Sequence, residues 1–357
     1  MDAAALRAEF PVLFDLAYLN TGTCGPLAHA TVRASIEALD RAAAEGRGKA
    51  YMELRQELAA RQRAAYAALL GAEATDVALT TCTSDGVVRV LAGLDLGPGD
   101  EVLTAPDEHP GVLGPLGTLR ARRGVEVRTA PFADLADAVG PRTRLVACSH
   151  VSWVTGAVRP QGLAALDIPV LLDGAQGVGA VPTDVTALGC AFYAGSGQKW
   201  LCGPVGTGML WVSPAWRERL APAGTTYINL AEPSAALASS PHPDARRHDA
   251  PAIATETVAA AVAAHDVLAG YGWDAIHARA TELAARLAAW LADAGRVVAP
   301  RGATTLVAWE DADPEATRER LAGERVVVRN LPGTPYLRAS VGAWNDEDDL
   351  QRLLAAL

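Results

Sequence analysis

Short apolar runs alternate with helical stretches along much of the chain. Two Ala-rich stretches at 31–45 and 51–70 have the spacing of amphipathic helices. The apolar runs that follow lie at 76–81, 99–106, 125–130, 143–151, 168–173, 190–195 and 206–212. They are continuous and not alternating, which is typical of strands buried on both faces of a parallel sheet. We therefore predict an α/β fold with a mostly parallel, seven-stranded sheet wrapped by helices.

The pattern changes at 223–249, where Pro, Ser and His cluster without periodicity. Such a stretch is typical of a loop or a domain connection. The elements predicted beyond it are helices at 253–270, 274–294 and 314–321, strands at 304–309 and 325–329, and a closing helix from Asp346. This order predicts a smaller α+β domain. The expected division is a large domain at 16–225 and a small domain formed by 1–15 and 226–357.

Charge and cysteine content exclude several classes of protein. The 31 Lys and Arg residues against 41 Asp and Glu give a formal charge of −10, without a dense basic run. We therefore expect no nucleic-acid partner. No stretch approaches the roughly 20 apolar residues of a membrane helix, and the N-terminal residues lack the apolar region of a secretory signal. The five scattered cysteines favour reduced thiols in the cytoplasm, without a bound metal.

Lys199 stands in the most informative stretch, SGQKWLCGPVGTG at 196–208. It follows the apolar run at 190–195 and lies between two glycine-rich turns. A lysine that is partly desolvated and near other positive charge has a lowered pKa and can attack a carbonyl group. Glycine-rich backbone also leaves room for a flat ring. Alone, however, a lysine in such a loop is more often an ordinary loop residue.

A carboxylate at the end of an earlier apolar run changes that interpretation. Asp173 closes the run IPVLLD, and active sites of parallel sheets lie at the carboxyl ends of strands. A carboxylate there can keep a pyridine nitrogen protonated, which pyridoxal 5′-phosphate needs in order to act as an electron sink. Gln176 can reach the ring hydroxyl. Asp173 could instead be a helix N-cap. The presence of Lys199 after a later apolar run favours the role in cofactor binding.

Two further segments follow predicted strands. Thr83 and Ser84, in TTCTSDG at 80–86, precede a predicted helix, where hydroxyl and backbone N–H groups can bind a phosphate. The same residues also make an ordinary capping sequence. His109 comes just past the strand at 99–106, where its imidazole could lie over the cofactor ring.

These motifs resemble those of fold-type I pyridoxal-phosphate enzymes of the class V aminotransferase and cysteine desulfurase superfamily, from about Tyr18 to the C-terminus. The resemblance implies that Lys199 binds the cofactor as a Schiff base, that Asp173 holds the pyridine nitrogen and that Gln176 contacts the ring hydroxyl. It implies that His109 stacks on the ring, and we expect His109 to act in catalysis with Lys199. It also implies a homodimer with the active site near the subunit interface.

The resemblance extends to the phosphate and the substrate. It implies that the phosphate is held by Thr83, Ser84 and Ser196, with Gln198 beside them. The closing stretch YLRASVG matches the family's Arg-x-Ser strand, which implies that Arg338 clamps the substrate carboxylate with a two-point guanidinium contact. We further expect the N-terminal loop LNTGTCG to line the substrate entrance through Asn20 and Thr21.

Within the superfamily, the sequence motifs are most similar to those of the cysteine and cystine C–S lyase branch. GLDLGPGDEVLT followed by EHPGVL, HVSWVTG with Trp153, and a second arginine at Arg329 all resemble that branch. Two arginines suit a substrate with a second carboxylate or a disulfide-linked amino acid. Trp153 and Arg329 are therefore candidate substrate-binding residues, although Arg329 could equally be a surface strand residue.

Several positions depart from the family pattern. Gln198 replaces the usual histidine before the lysine, so phosphate binding there lacks a charge. Pro251 and Ala252 replace the glycine and threonine of a segment that reaches the partner subunit's phosphate in the family, which puts that contact in doubt. RVVVRNLPGTPYLR holds no cysteine where desulfurases carry a persulfide cysteine. Desulfuration through a persulfide is therefore not expected.

The leading hypothesis is β-elimination from an amino acid with a sulfur leaving group on Cβ. Lys199, released by the substrate amine, removes the Cα proton, and the sulfur leaves, giving pyruvate and ammonia. An aminotransferase or an amino-acid epimerase needs the same cofactor residues and is the alternative. A pyridoxal-phosphate-binding protein without turnover is a third possibility, but the retained carboxylate clamp argues against it.

Overall fold

The computed structural model describes all residues, Met1–Leu357. Its strands are β1 (Ala17–Tyr18), β2 (Val77–Thr80), β3 (Glu101–Thr104), β4 (Glu126–Thr129), β5 (Thr143–Ser149), β6 (Val170–Asp173), β7 (Phe192–Ser196), β8 (Gly208–Val212), β9 (Leu306–Glu310), β10 (Val326–Val327), β11 (Arg329–Asn330) and β12 (Tyr336–Ser340). Its α-helices are α1 (Ala3–Ala8), α2 (His29–Glu45), α3 (Lys49–Leu70), α4 (Thr83–Gly93), α5 (Pro110–Arg123), α6 (Thr255–Tyr271), α7 (Trp273–Asp293), α8 (Pro314–Gly323) and α9 (Glu347–Ala356). None of the helices is long and apolar enough to cross a bilayer.

Seven strands form the central sheet, in the order β2-β8-β7-β6-β5-β3-β4. β8 runs antiparallel to both of its neighbours, and the other pairs are parallel. The predicted mostly parallel, seven-stranded sheet is therefore confirmed. Each of the seven apolar runs coincides with one of these strands. All but the edge strand β4 are buried on both faces: α3 packs in the core on one face, and α4 and α5 pack in the core on the other.

The C-terminal part builds its own core. β11, β12 and β9 form an antiparallel sheet, and β1 pairs with β10 in parallel. Apolar residues of α7, α8 and α9 pack against these strands around the buried Trp309. The sequence predicts one strand at 325–329, whereas the structure has two. The chain changes partner there, because β10 pairs with β1 and β11 pairs with β12.

The contacts of β1 and α6 suggest boundaries between the two parts other than the predicted ones. β1 pairs with β10, and Ala17 and Leu19 pack in the C-terminal core. In addition, α6 packs against α2 and α3 of the large part. We therefore propose that the first boundary follows Leu19 and that α6 associates with the large part. The segment at 223–249 contains only short 3-10 turns, as its composition predicts.

Candidate active site

A cavity of about 230 Å³ lies where the carboxyl ends of the parallel strands meet the C-terminal part. The predicted residues that line it are Thr83, Ser84, His109, Trp153, Asp173, Gln176, Ser196, Gln198, Lys199, Arg329 and Arg338. Gly22, Thr23, Cys82 and Ala175 also line it and were not predicted as site residues. A larger cleft of about 580 Å³ lies at the other end of the sheet, near the amino ends of the parallel strands, and contains no lysine. Most of the predicted residues therefore share one cavity, and we take this smaller cavity as the candidate active site.

Lys199 lies in the turn that follows β7. Burial lowers the pKa of Lys199 from 10.5 to about 8, opposed by the charge of Asp173 and aided by Arg338 and Arg329. The turn is packed tightly against the N-terminal loop: a Cβ on Gly25 would lie 2.1 Å from the Lys199 carbonyl oxygen, so only glycine fits there. The amine is thus held in a dry site, where its neutral form is accessible near neutral pH.

Asp173 and Gln176 are placed by the end of β6. The buried Asp173 carboxylate accepts a hydrogen bond from the backbone N–H of Ala175 at 2.9 Å. The Gln176 side chain donates to the Gly22 carbonyl oxygen at 2.8 Å and accepts from the Trp200 indole at 2.9 Å. These bonds fix the Gln176 amide in one orientation and tie the N-terminal loop to the edge of the sheet.

The first turn of α4 forms one end of the cavity. α4 begins at Thr83, earlier than the pattern suggests, so Thr83 and Ser84 belong to the helix itself. Thr83 Oγ1 lies 2.6 Å from Ser196 Oγ, and the Thr83 N–H donates to the same oxygen at 3.0 Å. The N-cap residue Cys82 makes no capping hydrogen bond. The N–H groups that follow Thr83 in the first turn have no intrahelical acceptor, and together with the Thr83 and Ser84 hydroxyls they suit a phosphate.

His109 and Trp153 form one wall of the cavity. Their rings meet edge-on, with centroids 5.2 Å apart and an interplanar angle of 87°. The His109 Nδ1 accepts a hydrogen bond from the Gly111 N–H at 3.0 Å, so the neutral imidazole carries its proton on Nε2. Burial, together with the nearby charge of Lys199, lowers the pKa of His109. The ring is therefore neutral near pH 7.

Arg338 is buried, although no carboxylate pairs with it. Its Nη1 donates to the Trp153 backbone oxygen at 2.5 Å, and its Nε is buried without a partner. Burial and the neighbouring Arg329 lower the pKa of Arg338. Arg329 Nη1 donates to the Thr23 hydroxyl at 3.0 Å. Two guanidinium groups at one cavity, neither paired with a carboxylate, suit an anionic ligand.

The N-terminal loop contributes differently from the prediction. Neither Asn20 nor Thr21 lines the cavity, which is lined instead by Gly22 and Thr23. The Asn20 Oδ1 is occupied by the Thr23 hydroxyl at 2.7 Å, and Thr21 is fully buried. A Cβ on Gly22 would lie 2.7 Å from Ser340 Oγ, so glycine is required for this close approach.

The segment that departs from the family pattern lies away from the cavity lining. Pro251 and Ala252 are exposed, and the preceding Asp249 forms a buried ion pair with Arg63 at 2.7 Å. The absence of a threonine from this segment leaves α4, Ser196 and Gln198 as this chain's own candidates for the phosphate. Gln198 Oε1 is buried without a partner.

The residues fit pyridoxal phosphate. A phosphate suits the N-terminus of α4 at one end, a protonated pyridine nitrogen suits the Asp173 carboxylate at the other, and the desolvated Lys199 amine can bind a carbonyl carbon. The His109 ring can cover the flat face of the cofactor.

Comparison with known proteins agrees with this fit. The family model for class V aminotransferases matches residues 18–353. Isopenicillin N epimerase from Streptomyces clavuligerus is 30% identical, over 95% of this chain and 93% of that protein. A probable cysteine desulfurase from Pseudomonas aeruginosa is 33% identical, over 84% of this chain and 81% of that protein. The solved structure of a cystine C–S lyase in complex with its reaction product, cysteine persulfide, has a TM-score of 0.92 and 26% identity, over 97% and 98% of the two chains. The predicted family is confirmed: the chain belongs to the class V aminotransferase family of pyridoxal-phosphate-dependent enzymes.

Proposed function

We propose that this enzyme is a C–S lyase that carries out β-elimination on cysteine, cystine or a related S-substituted cysteine. The products are pyruvate, ammonia and a thiol or persulfide. The observation that carries the proposal is the pair of guanidinium groups, Arg329 and Arg338, that line the cavity with Lys199 and have no carboxylate partner. A cystine molecule offers carboxylates at both of its ends, and a solved structure that covers nearly the whole chain is that of a cystine C–S lyase.

The cofactor-binding roles are proposed from the same cavity. Thr83, Ser84, Ser196 and Gln198 would bind the phosphate, Asp173 the pyridine nitrogen, Gln176 the ring hydroxyl, and Lys199 the carbonyl carbon. Pyridoxal phosphate, when bound, links to the substrate amino group and takes up the electron pair left at Cα. The neutral His109 ring would cover the cofactor, which excludes water from that face.

Lys199 and Arg338 carry the proton transfer and the orientation of the substrate. Arg338 binds the α-carboxylate and so fixes the direction of the Cα–H bond. Lys199 Nζ, neutral in part because burial lowers its pKa to about 8, accepts the Cα proton and can return it to the departing sulfur. The Cα–H and Cβ–S bonds break, the sulfur leaves with the bonding electrons, and water converts the unsaturated product to pyruvate and ammonia.

An epimerase or aminotransferase is the second candidate. The extended similarity to isopenicillin N epimerase favours it, because epimerisation begins with loss of the same Cα proton. The difference arises afterwards, when a proton returns to Cα and the Cβ–S bond is not broken. A desulfurase that works through a persulfide cysteine is disfavoured, because the chain has no cysteine after Cys202.

We also infer a homodimer, from the family resemblance, and a reducing cytoplasmic location, which suits the five free cysteines. Light scattering during size-exclusion chromatography tests the dimer, with a single species of 37.1 kDa as the contradicting result.

The reaction is tested with the cofactor-loaded enzyme in deuterium oxide. L-cystine, L-cysteine and an S-alkyl cysteine are supplied without a keto acid, and the Lys199→Ala variant serves as the control. Pyruvate formed by the wild type alone supports the lyase. Formation of the opposite enantiomer with deuterium at Cα, without pyruvate, indicates an epimerase, and turnover that requires an added keto acid indicates an aminotransferase. If the protein shows no cofactor absorbance after loading, the whole assignment is wrong.

A further inference from the structure

Glu108 is a buried carboxyl group that the proposed reaction does not use. It is 4% exposed, and both of its oxygens bind Ser149: Oε1 accepts from the backbone N–H at 2.7 Å and Oε2 accepts from the hydroxyl at 2.5 Å. The neighbouring charges that act on it most strongly, Asp173 and Asp107, are both negative. A buried acid without a positive partner destabilises the fold when ionised, so its retention calls for a reason.

The position of Glu108 in the fold gives a reason for a buried acid there. Ser149 is the last residue of β5 and the Cα partner of Asp173 on β6. Glu108 directly precedes His109, and the carbonyl oxygen of Asp107 accepts a hydrogen bond from the Trp153 indole at 2.8 Å. The three consecutive residues 107–109 therefore connect to the cavity wall, to the end of β5 and to the start of α5, respectively.

We propose that Glu108 is a positioning residue that ties the His109 segment to β5 beside Asp173, and that its carboxylate charge stabilises positive charge on the cofactor. The inference rests on the cofactor-binding roles proposed for Lys199 and Asp173, and it holds for elimination, epimerisation and transamination alike.

The charge on Glu108 changes near neutral pH. Burial raises the pKa of Glu108 to about 7, the hydrogen bonds from Ser149 oppose the shift, and the charges of Asp173 on β6 and Asp107 in its own loop add to it. Two further titratable groups lie close by: the adjacent His109, and Cys148 on β5, where the charge of Glu108 contributes to raising the pKa. Above pH 7 the ionised Glu108 adds negative charge beside the site, and a nearby negative charge favours the protonated form of a cationic group.

Two variants separate charge from shape. Glu108→Gln imitates the protonated acid, because its amide oxygen can accept from the Ser149 N–H while its amide nitrogen donates to the Ser149 hydroxyl. Ser149→Ala keeps the carboxylate but removes one donor, so Glu108 would ionise at a higher pH.

The test is a titration of the visible absorbance of the cofactor-loaded protein from about pH 5.5 to 9.5. We expect the absorbance of the wild type and that of Glu108→Gln to be the same at the acid end of the titration. At the alkaline end, Glu108→Gln should lose the protonated form of the Lys199-bound cofactor at a pH lower by about half a unit or more. Ser149→Ala should move the absorbance change that follows ionisation of Glu108 to higher pH. This variant tests the inference if Glu108→Gln does not fold. Superimposable titrations of wild type and variant would overturn the inference. A wild type without cofactor absorbance would overturn the proposed function first, and this inference with it.

Discussion

Arg329 and Arg338 lie directly opposite each other on β11 and β12, as Cα partners in the antiparallel ladder. Like charges at such a pair are destabilising. The hydrogen bonds of these guanidinium groups go to neutral acceptors, the Thr23 hydroxyl and the Trp153 backbone oxygen. Without a ligand, the pair therefore costs stability, and an anion bound between or beside the two groups offsets that cost.

Replacement of the two arginines separates their roles. We expect Arg338→Met to lower kcat/KM for every amino-acid substrate by about 30-fold or more, because loss of a buried charged partner costs roughly 2–5 kcal/mol. Arg329→Met should lower kcat/KM for cystine much more than for cysteine, because only cystine carries a second carboxylate. Steady-state kinetics with both substrates measures the difference.

The control is Arg318→Met, which removes a half-buried arginine on α8 that pairs only with its neighbour Glu319 and should leave both substrates unaffected. Equal losses for cysteine and cystine in Arg329→Met would contradict the role in binding the second carboxylate.

The lowered pKa of Lys199 makes the stability of the cofactor-free protein depend on pH. Its pKa is 10.5 in the unfolded chain and about 8 in the fold. Between these values the unfolded state binds more protons, so stability rises with pH through this window. Below pH 8 the buried charge costs the fold roughly 3 kcal/mol.

Chemical unfolding of the cofactor-free protein between pH 7 and 9.5 tests this sign. Lys199→Met removes the charge and keeps a flexible apolar chain of similar length. The variant should be more stable than the wild type at pH 7, and the difference should shrink as the pH rises. A constant difference across this range would show that Lys199 is not desolvated in the free protein.

Gly22→Ala should disturb substrate binding without removing the cofactor. The added Cβ would lie 2.7 Å from Ser340 Oγ, 2.9 Å from Gln176 Oε1 and 3.0 Å from Arg338 Nη2. Because the Arg338 guanidinium must give way, we expect KM to rise by about tenfold. The cofactor should stay bound, although its absorbance should shift slightly because Gln176 also moves. Gly114→Ala on α5 is the matched control, since its Cβ meets nothing within 4 Å and alanine favours a helix. If both variants keep the wild-type KM, the loop does not support the carboxylate clamp.

The sequence predicts the sheet and most of the cavity for a physical reason. Continuous apolar runs mark buried strands, and parallel strands bring the residues after their carboxyl ends to one edge, so Asp173 and Lys199 meet although they are distant in the chain. Loop side chains carry no such periodicity. The sequence therefore predicts the N-terminal loop as part of the site but selects Asn20 and Thr21, whereas tertiary contacts turn Gly22 and Thr23 toward the cavity.

The contributions of Cys82 and Glu108 could not be read from periodicity either. The run TTCTSDG marks an anion site, but whether Cys82 reaches the cavity depends on where α4 begins. Glu108 precedes a predicted site residue, yet only the pairing of β5 with β6 shows that its partner Ser149 lies beside Asp173.

The indole of Trp153 can be separated from its backbone, because Arg338 binds the carbonyl oxygen and not the ring. We expect Trp153→Ala to raise the KM for amino-acid substrates about tenfold, since a lost aromatic wall removes apolar contact worth roughly 1.5 kcal/mol. Trp153→Phe keeps a ring against His109 but loses the hydrogen bond to the Asp107 oxygen, so its effect on KM should be smaller. Parallel measurement of KM and of the dissociation constant for pyridoxal phosphate distinguishes two roles of the ring. A weakened cofactor with an unchanged KM would mean that the indole supports His109 and does not contact the substrate.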